Sequence, residues 1–260
     1  MYIIKTVLMA TAGALATPAL AAPIDGTWLV DMKATQYSAK PKMRALASGI
    51  YNCSTCAPAF SVPADGKFHA IKGSPYGTEI AVKVIDAKSV AYEYRAKGKP
   101  TGSDIGTVSA DGKSMVWSSK AIEDNGTVVA SESTDVRLAP GPKGSHAISG
   151  SWRTGKANSI DAKALTVSFK DTGTMFHTSQ PTGYSSVAPI GGKPVPIIGD
   201  SSGTMVSVRR VGPTTYVTTN WLKGKQLSAM TIHVVNSTTI SAVNEDKMTG
   251  RVTRYTATKQ

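Results

Sequence analysis

The sequence predicts an all-β protein of two tandem antiparallel β-barrels, with β-sandwiches as the alternative closure, and three observations lead to that reading. Charged residues make up only 18% of the 260-residue chain while Thr, Ser, Gly and Val abound, a mixture that suits strands and turns better than helices. Apolar residues recur with period two between short turn signals. The whole pattern also occurs twice: residues 65–99 lie over residues 191–225 without a gap, at a constant offset of 126.

The elements follow in chain order. Residues 1–21 read as a cleaved signal peptide: Lys5, an apolar and small-residue run from Val7 to Leu15, then Ala19-Leu20-Ala21 in the A-x-A arrangement. That run is too short to span a bilayer, and no later segment supplies a longer one. The first β domain, residues 22–143, opens on Gly26-Thr27-Trp28. It continues through alternating stretches such as "TEIAVKVI", "SVAYEYRA" and "KSMVWSSKAI". Asp-Gly at 111–112 and Asn-Gly at 125–126 mark hairpins, because these pairs suit the primed turns that match strand twist. The one segment read outside the strand pattern is "KPKMRALAS", residues 40–48, taken as a helical turn. A Pro- and Gly-rich stretch at 139–150 joins the copies. The second β domain, residues 144–260, opens on Gly150-Ser151-Trp152 and carries "TMVSVRRV", "TTYVTTNWL", "QLSAMTIHVV" and "TGRVTRYTAT". Gly66, Gly73, Gly77 and Lys97-Gly98-Lys99 meet Gly192, Gly199, Gly203 and Lys223-Gly224-Lys225. The expected count is seven or eight strands per copy, closed so that no long edge is exposed.

The Gly-x-Trp opening of each copy, followed by a basic residue on its last strand, resembles the lipocalin and calycin arrangement. The resemblance implies that Trp28 closes one barrel floor beneath Arg137, and that Trp152 closes the other beneath Arg254, with Arg251 as its substitute. More broadly "GTW", "YNCSTCAP", "ADGKFHAIKG" and "GPKGSHAISGSWRT" are similar to a family of exported bacterial proteins built from lipocalin-like repeats. That similarity covers nearly the whole mature chain, and implies an architecture and a compartment but no activity.

Cys53 and Cys56 are the chain's two cysteines. A redox C-x-x-C needs a helix N-terminus, and the following "APAFSVPADG" excludes one. A zinc site would take His69 as a third ligand, but no second histidine follows at finger spacing, and His177 or His233 would have to reach it in space. In an oxidising compartment the spacing reads best as a short disulfide that pins a bend, and the second copy does without it. Ser201 sits in "GDSSG", residues 199–203, which resembles the nucleophile motif of double-barrel serine proteases. The repeat weakens this reading, because its glycines match those of a shared turn and Ser201 falls opposite Pro75. A strand follows where an elbow needs a helix. No Gly cluster opens a helix, so no phosphate-bearing cofactor is expected, and no resident metal.

The net charge is +12, and after His146 there are 13 basic against 5 acidic residues. Such a field draws anionic small molecules or an anionic envelope surface. Nucleic acid is disfavoured because aromatic and basic residues do not interleave on one sheet face. The expectation is a periplasmic or secreted binding protein for a small apolar or amphiphilic ligand, with Arg209 and Arg210 as basic rim candidates. A hydrolase or isomerase on the same scaffold, and a non-catalytic envelope interaction protein with solid barrels, are the alternatives.

Overall fold

The computed structural model describes residues 22–74 and 77–260; the leader assigned to residues 1–21, and Pro75, lie outside them. The chain opens with β1 (Gly26–Val30) and β2 (Gln36–Ser38). A long meander follows: β3 (Lys42–Ala47), β4 (Ile50–Cys53), β5 (Phe60–Pro63), β6 (Asp65–Ala70), β7 (Glu79–Val84), β8 (Ser89–Ala96), β9 (Lys99–Val108), β10 (Ser114–Ile122), β11 (Val128–Pro140) and β12 (Gly150–Ile160). A one-turn helix α1 (Ala162–Leu165), capped by the Asp161 carboxylate, leads to the second meander. That meander comprises β13 (Thr166–Asp171), β14 (Met175–Ser179), β15 (Ser185–Pro189), β16 (Val195–Pro196), β17 (Met205–Gly212), β18 (Thr215–Leu222), β19 (Lys225–Asn236), β20 (Thr239–Asp246) and β21 (Val252–Lys259).

These strands form two nearly closed, barrel-shaped antiparallel sheets. The first runs β5-β4-β3-β12-β11-β10-β9-β8-β7-β6, and the second β15-β14-β13-β1-β21-β20-β19-β18-β17-β16, with β2 added against β21. The ten strands on each path exceed the seven or eight expected, because the segments before and after the apolar runs also pair. The expected helical turn at 40–48 is instead the β3–β4 hairpin. Ser48 and Gly49 take positive φ (49° and 74°) as a primed turn, and Ala47 pairs with Ile50.

The duplication is visible in backbone detail. In the β8–β9 hairpin Lys97 and Gly98 have φ of 52° and 78°, and in the β18–β19 hairpin Lys223 and Gly224 have 49° and 76°. Ala96 pairs with Lys99 and Leu222 with Lys225. A bulge follows in both, after which Tyr94 pairs with Gly102 and Asn220 with Ser228. Each opening tryptophan is fully buried and donates Nε1–H to the carbonyl four residues earlier: Trp28 to Ile24 at 2.9 Å, Trp152 to Ile148 at 2.8 Å.

The repeats are not closed separately. β1, from the start of the first copy, lies between β13 and β21, and β12, from the start of the second, lies between β3 and β11. Each barrel therefore borrows its Gly-x-Trp strand from the other copy, and the boundaries 22–143 and 144–260 do not coincide with the two sheets. The chain crosses between barrels after β2, along residues 39–41, and again along 161–165. The floor pairs change accordingly. The Arg137 guanidinium lies 4.1 Å from the Trp152 ring centre, not over Trp28, and Lys259 Nζ lies 5.4 Å from that of Trp28. Arg254 is exposed on β21 opposite Gln36 and Val243, and Arg251 lies in the turn before β21. The reason is register: Arg137 pairs directly with Trp152 and Lys259 with Trp28.

Candidate functional site

A cavity of about 890 Å³ lies in the first barrel, open at a mouth that residues of the second barrel border. Its character is set by β3, where Lys42, Arg44 and Leu46 fall on one face by the two-residue period of a strand. Arg44 is only 8% exposed and Asp135, inward on β11, 4%. Arg44 Nη1 donates to Asp135 Oδ2 at 3.2 Å, and Trp117 Nε1 donates to the same oxygen at 3.0 Å. The guanidinium lies 4.8 Å from the Trp117 ring centre, and Tyr92 stacks on the indole with centroids 5.5 Å apart. Tyr51 and Phe60 extend the aromatic wall from Tyr92, at successive centroid distances of 5.2 and 5.8 Å. Gly106 makes room for the indole, since a Cβ there would sit 2.6 Å from two of its ring carbons.

Burial works against the Arg44 charge, but the facing Tyr51 and the Asp135 carboxylate outweigh it, so the guanidinium stays ionised. The phenols of Tyr92 and Tyr94 are pushed well above the ordinary tyrosine range by burial, and remain neutral donors at physiological pH. Tyr94 uses its proton on Asp104 Oδ2 at 2.7 Å, whereas the buried Tyr92 hydroxyl has no hydrogen-bond partner. Lys42 lines the cavity and is reachable through its mouth, yet is ringed by protein. Desolvation, with Arg44 close by, lowers its ammonium pKa.

Two structural devices shape the wall. Cys53 and Cys56 form a disulfide, with Cα atoms 5.4 Å apart. Cys53 pairs with Arg44 across β3–β4, and Cys56, Ala57 and Pro58 face the cavity, so the staple is part of the site. Thr55 ties the same loop to β3 by accepting from Met43 N–H at 2.7 Å and donating to Pro41 O at 3.1 Å. The second device is the β20–β21 turn of the other barrel, Asp246 to Arg251, which lies at the cavity mouth beside Tyr37 and Lys40.

The sequence-predicted candidates lie elsewhere. Ser201 is held by Asp124, through its N–H at 2.5 Å and its hydroxyl at 2.8 Å, so its partner is a carboxylate in a contact between the barrels. His69, His146 and His233 bond to Asp65, to the Asp86 carbonyl and to Thr215, and none of them to Ser201. The thiols that a zinc reading would use are joined to each other. Arg210 is paired with the buried Asp171 at one end of the second barrel, and Arg209 is exposed on β17; neither lines the first-barrel cavity. The site depends on residues 42–47 being strand β3 and not part of the helical turn expected over residues 40–48. The cue was present: as a strand "KMRALA" places Lys, Arg and Leu on one side, which is a polar inner face. No helix among the described residues is long and apolar enough to cross a membrane. No family model, no curated protein and no solved structure matches this chain.

Proposed function

We propose that the protein is an exported, lipocalin-like binding protein that holds one small amphiphilic molecule inside its first barrel. The observation carrying this reading is a cavity of about 890 Å³ with an aromatic wall, inside one barrel of a pair. Cavities of roughly 300 to 1,000 Å³ lined by apolar and aromatic groups, with a few directed polar ones, are the usual form of small-molecule sites. Phe60, Ile80, Tyr51 and Trp117 offer apolar surface, and Arg44, Lys42 and the Tyr92 hydroxyl offer directed polarity. The leader-like N-terminus and the disulfide favour an oxidising destination, periplasmic or secreted. A hydrolase reading has less support because Ser201 is tied to Asp124.

The test is titration with the neutral fluorophore N-phenyl-1-naphthylamine, alongside native mass spectrometry of protein taken from its own host. Saturable binding is expected, and Ser131→Phe, which places a ring on the cavity wall, should abolish it. Binding that survives this substitution, or no binding at all by a folded wild-type protein, would defeat the proposal in favour of a solid scaffold.

A further inference from the structure

We infer that the cavity takes a single-chain amphiphile with a carboxylate head group, gripped by Lys42 and Arg44 of the first barrel and closed over by Arg251 of the second. This deepens the binding proposal and rests on it. The argument is an inventory of charges around the cavity. Its carboxylates are already engaged: Asp135 by Arg44 and Trp117, Asp104 by Tyr94, Glu132 by the Asn158 amide at 2.8 Å, and Asp246 by the N–H groups of Met248 and Thr249. The cations are less fully engaged. Lys247 pairs with Glu245 at 2.6 Å, but among the described residues the side chains of Lys40, Lys42 and Arg251 make no hydrogen bond or ion pair, and Arg44 uses one nitrogen, on Asp135. Arg44 is over nine-tenths buried, so its other N–H donors cannot all be supplied by bulk water, and the Tyr92 hydroxyl beside them is also unpartnered.

Position favours the same assignment. Lys42 and Arg44 are two residues apart on one face of β3, and Arg251 reaches the mouth from the β20–β21 turn, near enough for its charge to depress the Lys42 pKa. Arg44 has Asp135 on one side, but Lys42 and Arg251 have no partner of their own among the described residues, and both Arg44 and Arg251 repel the Lys42 charge; an anion among the three relieves this while gaining charge-assisted hydrogen bonds. A planar carboxylate can accept from Lys42 and Arg44 together, leaving an alkyl or aryl body to lie against Tyr51, Phe60 and Trp117. The site is incomplete in either barrel alone, because Arg251 belongs to the second. Among the described residues the β20–β21 turn makes its hydrogen bonds within its own barrel, among them Lys247 N–H to Leu227 O and Gly250 N–H to Asp246 O, so it can settle on a ligand without breaking hydrogen bonds to the first.

Calorimetric titration of the full chain with decanoate, decanol and decyl phosphate tests this. Decanoate should bind roughly tenfold or more tightly than decanol, since hydrogen bonds to charged groups are about twice as strong as neutral ones. Decyl phosphate, the probe for a phosphate-headed lipid, should bind less well than decanoate. In Lys42→Gln/Arg251→Gln the advantage of decanoate over decanol should vanish. Arg251→Gln alone, in an exposed turn, should lose at least threefold for decanoate and serves if the double variant does not fold. The carboxyl ¹³C resonance of bound decanoate should titrate at lower pH than that of the free acid. Equal affinity for acid and alcohol, preference for the phosphate, or an acid preference that survives both substitutions overturns the inference. If the neutral fluorophore binds and none of the three decyl compounds does, the inference fails while the cavity reading stands. If nothing binds, both fail.

Discussion

The two barrels share one frame and have opposite interiors. Anchoring their registers on the two Gly-x-Trp strands makes the exchange of residues explicit. Arg44 faces Gly150 where Phe169 faces Gly26, and Lys42 faces Trp152 where Val167 faces Trp28. Asp135 lies opposite Met115 where Ala257 lies opposite Ile240. Tyr92 pairs with Val82 where Thr218 pairs with Val208. Gly106 and Trp117 are replaced by Ile232 and Ala242, a swap of small and large across one pair. The second barrel fills its interior with Phe169, Phe176, Tyr216 and Ile232, all buried. The first holds an ion pair, stacked aromatic rings and space. A closed sheet therefore does not decide whether it is hollow; the inward residues at a few equivalent positions do.

The barrels also keep a buried acid in different places. In the first, Asp135 is held by Arg44 and Trp117. In the second, Asp171 accepts from Tyr216 at 2.7 Å, from Gly173 N–H at 2.7 Å and from Arg210. The mouths differ in the same spirit. The β10–β11 turn of the first barrel is bonded to the second through Asp124 to Ser201, Asn125 to Thr182 O at 3.2 Å, and Glu123, which accepts from Tyr184. Its counterpart, the β20–β21 turn, lies over the cavity and satisfies itself.

The largest expected effect comes from breaking the ion pair. Asp135→Ala leaves Arg44 buried without a counter-charge and should cost about 3–5 kcal/mol in denaturant unfolding. Arg44→Phe/Asp135→Ala installs the residues of the second barrel and should recover most of that loss. If the double variant is no more stable than the single one, the proposed equivalence of positions is wrong. A smaller contrast separates the floors. Arg137 donates to Gly112 O, Ser149 O and Ala147 O at 2.5–2.6 Å as well as lying over Trp152, whereas Lys259 contributes only its place over Trp28 among the contacts seen here. Arg137→Met should lose about 2–3 kcal/mol and Lys259→Met about 0.5 kcal/mol. Equal losses would mean that the cation over the ring, and not the carbonyl bonds, secures each floor.

The smallest effect is in pH dependence, and it belongs to the second barrel. Burial opposes ionisation of Asp171, but the Tyr216 hydroxyl, Gly173 N–H and Arg210 outweigh it, and its pKa falls below the ordinary carboxyl value. That stabilisation is present above the unfolded pKa of about 3.9 and is lost as pH falls through the lower folded value. Tyr216 is pushed the other way, by burial and by Asp171, to about 12. Its contribution is complete below the unfolded value of about 10 and fades as pH rises towards that of the folded state. Thermal melts across pH should show Asp171→Asn flattening the acid limb and Tyr216→Phe the alkaline one, with the Arg44–Asp135 barrel unaffected by either substitution. A change in both barrels would show that they unfold as one unit.

Much of the frame was legible because it is written in local chemistry. Lys97-Gly98 and Lys223-Gly224 announced matching turns, Val82 and Val208 a shared inner face, and Cys53-x-x-Cys56 a staple, since each depends on neighbours in sequence. The candidate site was not legible. Arg44 and Asp135 are 91 residues apart and acquire their meaning only when β3 and β11 are both brought beside β12. "KMRALA" has four apolar residues, but Met43, Ala45 and Ala47 fall on the face opposite Arg44 and Leu46, so its alternation runs against the usual apolar-inward pattern, and Arg209-Arg210 stand out only as adjacent charges.

The sequence by itself determined that there are two β units, where several of their hairpins turn and which residues begin each with a tryptophan, because turn geometry and alternation act over a few residues. Which sheet each tryptophan strand completes, and which barrel keeps its interior open, only the tertiary structure decided. The physical reason is that "GTW" and "GSW" are nearly interchangeable as strands, so their local pairing energies hardly distinguish the two slots. The choice falls to contacts between residues far apart in the chain.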